Sequence, residues 1–239
     1  MMFNLKDKVI LVIGGRGYLG RDFCYYLNKQ NGTVISADLK KNSTAASKSK
    51  NKKNQSNIIQ INIDVTNERS VSKTVEKIIK KYGKIDVLVF SVTAKPYDFY
   101  LPFTECSLKG WQSVIQTELD GAFLITQKVG KFMENRNKGS IILLSSMYGV
   151  VGNDQRIYKG SNLDKLYVNK KSKSSKKQIY SHSVYPAVKG AIISLTRYLA
   201  AYWGHKNIRV NCISPGGITH EGENKDFVNK YSAKVPLGR

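Results

Sequence analysis

Apolar runs alternate along the chain with amphipathic stretches of helix length, the pattern of a parallel sheet covered by helices on both faces. Residues 8–13 (KVILVI) form a run apolar enough for a buried strand, and a helix is expected over residues 19–31. Residues 33–38 (TVISAD) and 58–64 (IIQINID) read as the second and third strands. Asn67 is placed to cap a helix whose Val71, Val75, Ile78 and Ile79 fall on one face. The fourth strand is expected at residues 85–91, a long helix over about 108–134, and the fifth strand at 140–146. After an insertion of about residues 150–182, a helix over about 183–203 leads to a sixth strand at 208–214. The expected fold class is therefore α/β, a doubly wound parallel sheet, in a single domain over residues 1–239.

Composition changes this picture little. A hydrophobic fraction of 41% supports a sizeable core, and no apolar run reaches the ~18–20 residues of a membrane span. The N-terminus runs straight into a strand without the shape of a signal peptide. Cys24, Cys106 and Cys212 are scattered and lack CxxC spacing, which points to reduced thiols in a cytoplasmic protein. His182, His205 and His220 are equally scattered, so no metal site is expected. The formal charge of +22 favours anionic partners in general. Much of the lysine, however, lies in two Ser- and Asn-rich tracts, residues 40–57 and 169–177, which read as solvated loops. Neither carries an aromatic residue to stack on bases, which argues against nucleic acid as the partner.

Between the first strand and the first helix lies GGRGYLG. Gly15, Gly17 and Gly20 match GxGxxG, and Gly14 precedes them. A tight turn and a close backbone approach to a pyrophosphate both exclude a Cβ, while the helix start offers N–H groups to the anion. The strand–turn–helix context is the one that gives the motif weight. Asp38 ends the second strand, where a carboxylate accepts from both adenosine ribose hydroxyls and repels a 2′-phosphate. NAD is therefore favoured, with NADP the alternative through the nearby Arg16, Lys40 and Lys41. Asp64, followed by Val65, is placed for the adenine edge.

The chemical end rests on YPAVK. Tyr185 and Lys189 are four residues apart, one face of a helix. A phenol ordinarily titrates near ~10, so acid–base work at neutral pH calls for a cation beside it. The pair follows a fifth strand that ends in Ser145 and Ser146 and precedes a sixth that ends in SPGG.

The Gly-rich turn, Asp64-Val65, SSMYG, YPAVK and RVNCISPGG come in the order of the short-chain dehydrogenases/reductases, and the chain resembles that family over nearly its whole length. The resemblance implies a Rossmann-type fold and hydride transfer between a nicotinamide cofactor and an alcohol or ketone. It implies that Ser146 bonds the substrate oxygen, that Tyr185 is the general acid/base, and that Lys189 binds the nicotinamide ribose and acts on Tyr185. Arg16, Tyr18, Leu19 and Ser91 join the turn glycines at the cofactor, with Pro215, Gly216 and Ile218 beside the nicotinamide. Ser145 is structural. SSMYGVVGNDQRIY, the insertion and the YPAVK helix further resemble the branch of flagellin modification and nonulosonic-acid or surface-polysaccharide synthesis. That branch implies an anionic sugar or amino-sugar derivative as the small-molecule substrate. The insertion would then present Arg156, Tyr158 or Lys159 to the substrate, or be a surface loop without such contact. A 3-oxoacyl-carrier-protein reductase and a cofactor-binding, catalytically weak member are the alternatives.

Three departures from the family pattern stand out. Glu118, in ELDGAF, takes the place of an Asn that helps hold a relay water; a carboxylate there can hold water or pair with Lys189. FSVTA, residues 90–94, replaces the usual NNAG turn after the fourth strand. The chain stops at KVPLGR, where family members run on through a helix and a seventh strand, so the sheet is expected to be truncated at that edge. Members usually form homo-oligomers through that segment, so its absence bears on assembly.

Overall fold

The computed structural model describes residues 3–39, 57–168, 178–219 and 222–238. The two lysine-rich tracts, apart from Asn57, lie outside the described residues, as does His220. The strands are β1 Val9–Ile13, β2 Thr33–Asp38, β3 Ile59–Asn62, β4 Val87–Phe90, β5 Gly139–Leu144 and β6 Ile208–Ile213. The α-helices are α1 Tyr18–Lys29, α2 Glu68–Tyr82, α3 Leu108–Val114, α4 Gly121–Asn135, α5 Leu163–Tyr167, α6 Val184–Trp203 and α7 Lys225–Ser232. Among the described residues no helix is long and apolar enough to cross a membrane. The chain divides into two compact units.

Unit 1 comprises Met1–Val92, Asp120–Leu144 and Ser194–Cys212. It carries the parallel sheet, in the order β3-β2-β1-β4-β5-β6. β1 pairs with β2 on one side (Val9 with Thr33, Ile13 with Ala37) and with β4 on the other (Ile13 with Phe90). With neighbours on both edges and helices over both faces, Ile10 to Ile13 are wholly buried, which is why this strand is a continuous apolar run. The strand order reverses beside β1, so the turn leaving its C-terminal end opens at the switch point of the sheet. α2 begins where expected, with the Asn67 side chain accepting from the Ser70 N–H at 3.0 Å, and ends on Gly83 in the left-handed region. β6 is an edge strand, and its burial alternates over its first four residues.

Unit 2 comprises Thr93–Leu119, Ser145–Ile193 and Ile213–Arg239. It has no sheet. Its core is an aromatic and aliphatic cluster of Phe99, Tyr100, Ile157, Tyr158, Leu163, Val168 and Ile179, with Tyr185, Phe227 and Tyr231 packed against it. The described part of the insertion is thus a core-forming segment. It is tied to the C-terminal stretch by asparagine amides: Asn162 donates to the Gly222 carbonyl and Asn224 to the Gly160 carbonyl, both at 2.6 Å. α5 and α7 escape the sequence pattern because each is short, five and eight residues, and too brief to show a clear period.

The long helix expected over residues 108–134 is not one regular helix. α3 passes into a π-helical turn, Ile115–Asp120, before α4 begins. The widened turn carries Glu118, which is 1% exposed. Such a turn inserts a residue into the helical period and is frequent at functional sites.

Candidate active site

The glycines of the first turn are accounted for by backbone packing within unit 1. Gly14 has φ +78°, and a Cβ there would stand 2.4 Å from the Ser91 carbonyl oxygen. At Gly15 it would meet Ser36 Oγ at 2.5 Å, and at Gly20 the Gly14 carbonyl oxygen at 2.0 Å. The Gly17 N–H donates to the Gly14 carbonyl at 2.9 Å. Gly17 is the N-cap of α1, with no side-chain cap and no acid in the first turn. Tyr18 is exposed and Leu19 half-buried at that helix start. Three turns of helix begin there with no acid in the first turn, which suits a phosphate.

Asp38 lies beside this turn. One carboxylate oxygen accepts from the Arg16 N–H at 2.9 Å and the other from the Leu39 N–H at 2.8 Å. Each oxygen keeps a second lone pair for a hydroxyl. The Arg16 guanidinium is spread over neutral acceptors, the Leu39 carbonyl at 2.8 Å, Asn62 Oδ1 at 3.0 Å and Gln60 Oε1 at 3.1 Å. Asp64 turns back on its own loop, accepting from the Thr66 N–H at 2.9 Å and hydroxyl at 2.7 Å. Val65 is buried under Gly121, where a Cβ would come within 3.0 Å of it. Ser91 continues β4, its N–H donating to the Ile13 carbonyl at 2.9 Å.

Ser146, Tyr185, Lys189, Pro215 and Gly216 all belong to unit 2. Ser146 caps a 3-10 turn, Met147–Gly149, and its hydroxyl oxygen accepts from the Tyr148 N–H at 3.2 Å, leaving its own proton to donate. The Ser145 hydroxyl donates to the Lys189 carbonyl at 2.7 Å, and a Cβ at Gly149 would stand 2.7 Å from the Lys189 carbonyl carbon. This seats the Ser146 turn on α6 at the level of Lys189. Tyr185 lies in the first turn of α6, half-buried, with the Phe99 ring edge-on at a centroid distance of 6.3 Å. The start of that helix is held by His182, whose Nδ1 accepts from the Val184 N–H at 3.1 Å. Burial pushes the His182 imidazole below its ordinary range, against the opposing pull of Asp98, so it acts as a neutral acceptor.

The Lys189 ammonium is 5.5 Å from the centre of the Tyr185 ring. It is also 2.8 Å from Glu118, with both side chains 5% exposed or less. The other Glu118 oxygen accepts from the Thr93 hydroxyl and the Ala94 N–H, each at 2.9 Å. Two departures from the family pattern are therefore one arrangement: the altered turn after β4 supplies the donors that a buried carboxylate requires. The pairing of Glu118 with Lys189 was one of the two outcomes its position allowed. Thr93 as its partner carried no sequence signal, because the contact spans 25 residues and no helical or strand period.

The Pro215 carbonyl accepts from the Met147 N–H at 3.0 Å, which brings the SPGG segment to the Ser146 turn. Gly216 and Gly217 face Tyr231 of α7, to whose hydroxyl the Gly217 N–H donates. Ile218 is exposed. In the insertion, Arg156 is held by both oxygens of Asp154 at 2.9 Å, and Tyr158 is part of the unit 2 core. Lys159 receives the Lys230 ammonium on its carbonyl at 2.8 Å.

Residues 8–161 match the family described as short chain dehydrogenase, and residues 164–239 match the one described as enoyl-(acyl carrier protein) reductase. The chain is similar to the 3-oxoacyl-[acyl-carrier-protein] reductase of Thermotoga maritima, 27% identical over 99% of this chain and 85% of that protein. It is also similar to post-translational flagellin modification protein A of Campylobacter coli, 27% identical over 95% of this chain and 83% of that one. Among solved structures it is similar to a short chain dehydrogenase from Leptospira borgpetersenii with bound NAD+. There the TM-score is 0.79 and the identity 29%, over 99% of this chain and 81% of the other. A family match that begins in β1 and runs past the Ser146 turn takes in well over half of the chain: the protein belongs to the short-chain dehydrogenase family.

Proposed function

We propose that the protein is an NAD-dependent oxidoreductase that interconverts an alcohol and a ketone on an anionic sugar or amino-sugar derivative, with residues 1–239 acting as one catalytic domain. The observation that carries the reading is a half-buried phenol, Tyr185, one helical turn from a buried lysine, with the Ser146 hydroxyl on a turn seated against the same helix. Tyr185 gives a proton to the ketone oxygen, or takes one from the alcohol, and Ser146 donates a hydrogen bond to that oxygen. The Lys189 ammonium stands beside the phenol ring, and Glu118 sets a negative charge against it.

The residues of unit 1 fit a dinucleotide. The uncapped start of α1 suits its phosphates, and the spare lone pairs of Asp38 suit its ribose hydroxyls. When bound, the nicotinamide supplies or accepts the hydride. The Asp38 carboxylate repels a 2′-phosphate and favours NAD; Arg16, whose N–H meets Asp38, is a cation at hand for NADP. None of Cys24, Cys106 and Cys212 forms a disulfide, which supports a cytoplasmic location.

The two curated relatives stand for the two substrate classes left open by the sequence, at the same 27% identity. The second reading, a cofactor-binding protein of weak activity, is favoured by the negative charge that Glu118 places on Lys189. Turnover with NAD(H) over a panel of polyols, sugars and 3-oxoacyl thioesters, compared between wild type and Tyr185→Phe, tests the assignment. The substitution is expected to cost about 10²–10⁴-fold in kcat while NAD(H) still raises the melting temperature. Turnover that survives the substitution would rule out the proton-transfer role.

A further inference from the structure

Lys95 directly follows the Thr93–Ala94 pair that holds Glu118, and the same loop carries Phe99 to the edge of the Tyr185 ring. It therefore stands on a loop that borders both the buried ion pair and the phenol. Its ammonium rests on the face of Tyr167 in α5, 3.4 Å from the ring centre. The Tyr167 hydroxyl donates to Glu223 at 3.1 Å, which fixes the ring in place.

The charges facing Lys95 are Glu118, Glu223 and the Tyr167 ring. Burial pushes the lysine down to about 8, against the pull of both glutamates. Neither glutamate takes its protons. Glu118 is engaged by Lys189, Thr93 and Ala94, and Glu223 by Tyr167. Among the described residues no acid lies within ion-pair distance of Lys95, and no acceptor is hydrogen-bonded to it. An ammonium has three donors, and an aromatic face meets its charge without accepting those protons along lone pairs. A half-buried cation held in this way is poised for an acceptor that the described residues do not supply.

We propose that Lys95 receives an anionic group of the substrate, a carboxylate or a phosphate, and sets the preference of the site for charged over neutral alcohols. The inference rests on the oxidoreductase reading of Tyr185 for the identity of its ligand as substrate. The anion-binding claim is measured without turnover.

Isothermal titration of the full chain with inorganic phosphate, glucuronate and uncharged glucose tests it. Both anions are expected to bind at least ~10-fold more tightly than glucose. Lys95→Met, which keeps a chain of similar length on the Tyr167 ring, is expected to weaken both about 10-fold or more, and Lys95→Arg to retain them. If Lys95→Met fails to fold, wild type alone answers. A lysine at about 8 must be protonated to bind, so glucuronate affinity falls ~10-fold from pH 7 to pH 9 while that for glucose stays level. Anions that bind no more tightly than glucose, or equally to wild type and Lys95→Met, overturn the proposal. Tyr185→Phe separates the two readings: it abolishes turnover and leaves anion binding intact if both hold. Turnover that persists in that variant sinks the proton-transfer role of Tyr185 and leaves the anion-binding claim standing.

Discussion

Gly20 in unit 1 and Glu118 in unit 2 are both buried in helical turns, for opposite reasons. At Gly20 there is no room: a Cβ would lie 2.0 Å from the Gly14 carbonyl oxygen. At Glu118 the space is filled by a charge, which Lys189, Thr93 and Ala94 meet from three directions. The glycine turn closes on its own backbone at Gly17 and Gly20, where a Cβ would meet the Gly14 carbonyl oxygen, while Gly14 and Gly15 pack on Ser91 and Ser36. The surroundings of Glu118 are assembled from distant stretches whose charges must be matched. The first kind of site is a sterically determined local motif, and the second is a long-range electrostatic balance.

The broadest effect, on both folding and cofactor binding, is expected from Gly20→Val, which forces the backbone of α1 away from the first turn. It should cost about 3 kcal/mol or more in urea unfolding and abolish the rise in melting temperature with NAD(H). A variant that melts like wild type and still responds to NAD(H) would mean that the close packing of the turn is dispensable.

On the electrostatic side, Glu118→Gln and Lys189→Met each leave a buried charge without its partner, at about 3–5 kcal/mol. The double variant removes both charges and is expected to cost much less than the sum. Unfolding free energies that add would show that the two side chains are not coupled, and the contrast between the units would lose its basis.

A smaller effect is expected at Asp38, whose charge lies beside the first turn. Asp38→Ser removes the negative charge but keeps a hydrogen-bonding group beside Arg16. The ratio of NAD to NADP affinity is expected to fall about 10-fold, or ~1.4 kcal/mol. An unchanged ratio would assign the preference to other residues. The smallest effect belongs to Asn67→Ala, which removes the α2 cap and should cost ~1 kcal/mol of stability without altering cofactor selectivity.

The order of strands and helices was legible because buried parallel strands must be apolar throughout and their covering helices must be amphipathic. The GGRGYLG turn was legible because its glycine spacing falls within seven residues. YPAVK was legible because the helical period places Tyr185 and Lys189 on one face, and α6 bears this out. The interruption of the long helix was not legible. A π-helical turn depends on what Glu118 finds around it, and the apolar pattern on either side is equally compatible with a regular helix. The insertion shows the same limit, since Tyr158 reads as a polar-tipped residue in a loop yet lies in an aromatic core.

By itself the sequence determined the α/β architecture, the first turn and the helical spacing of Tyr185 and Lys189. Each depends on interactions between residues close in the chain or on a repeating pattern of burial. Only the tertiary structure decided that Glu118 would be bound to Lys189, that Thr93 and Ala94 would satisfy its second oxygen, and that Lys95 would rest on Tyr167. Those contacts join residues 24 to 72 positions apart. Coulombic and hydrogen-bond complementarity acts through space, and no local period records which distant partner a buried charge will meet.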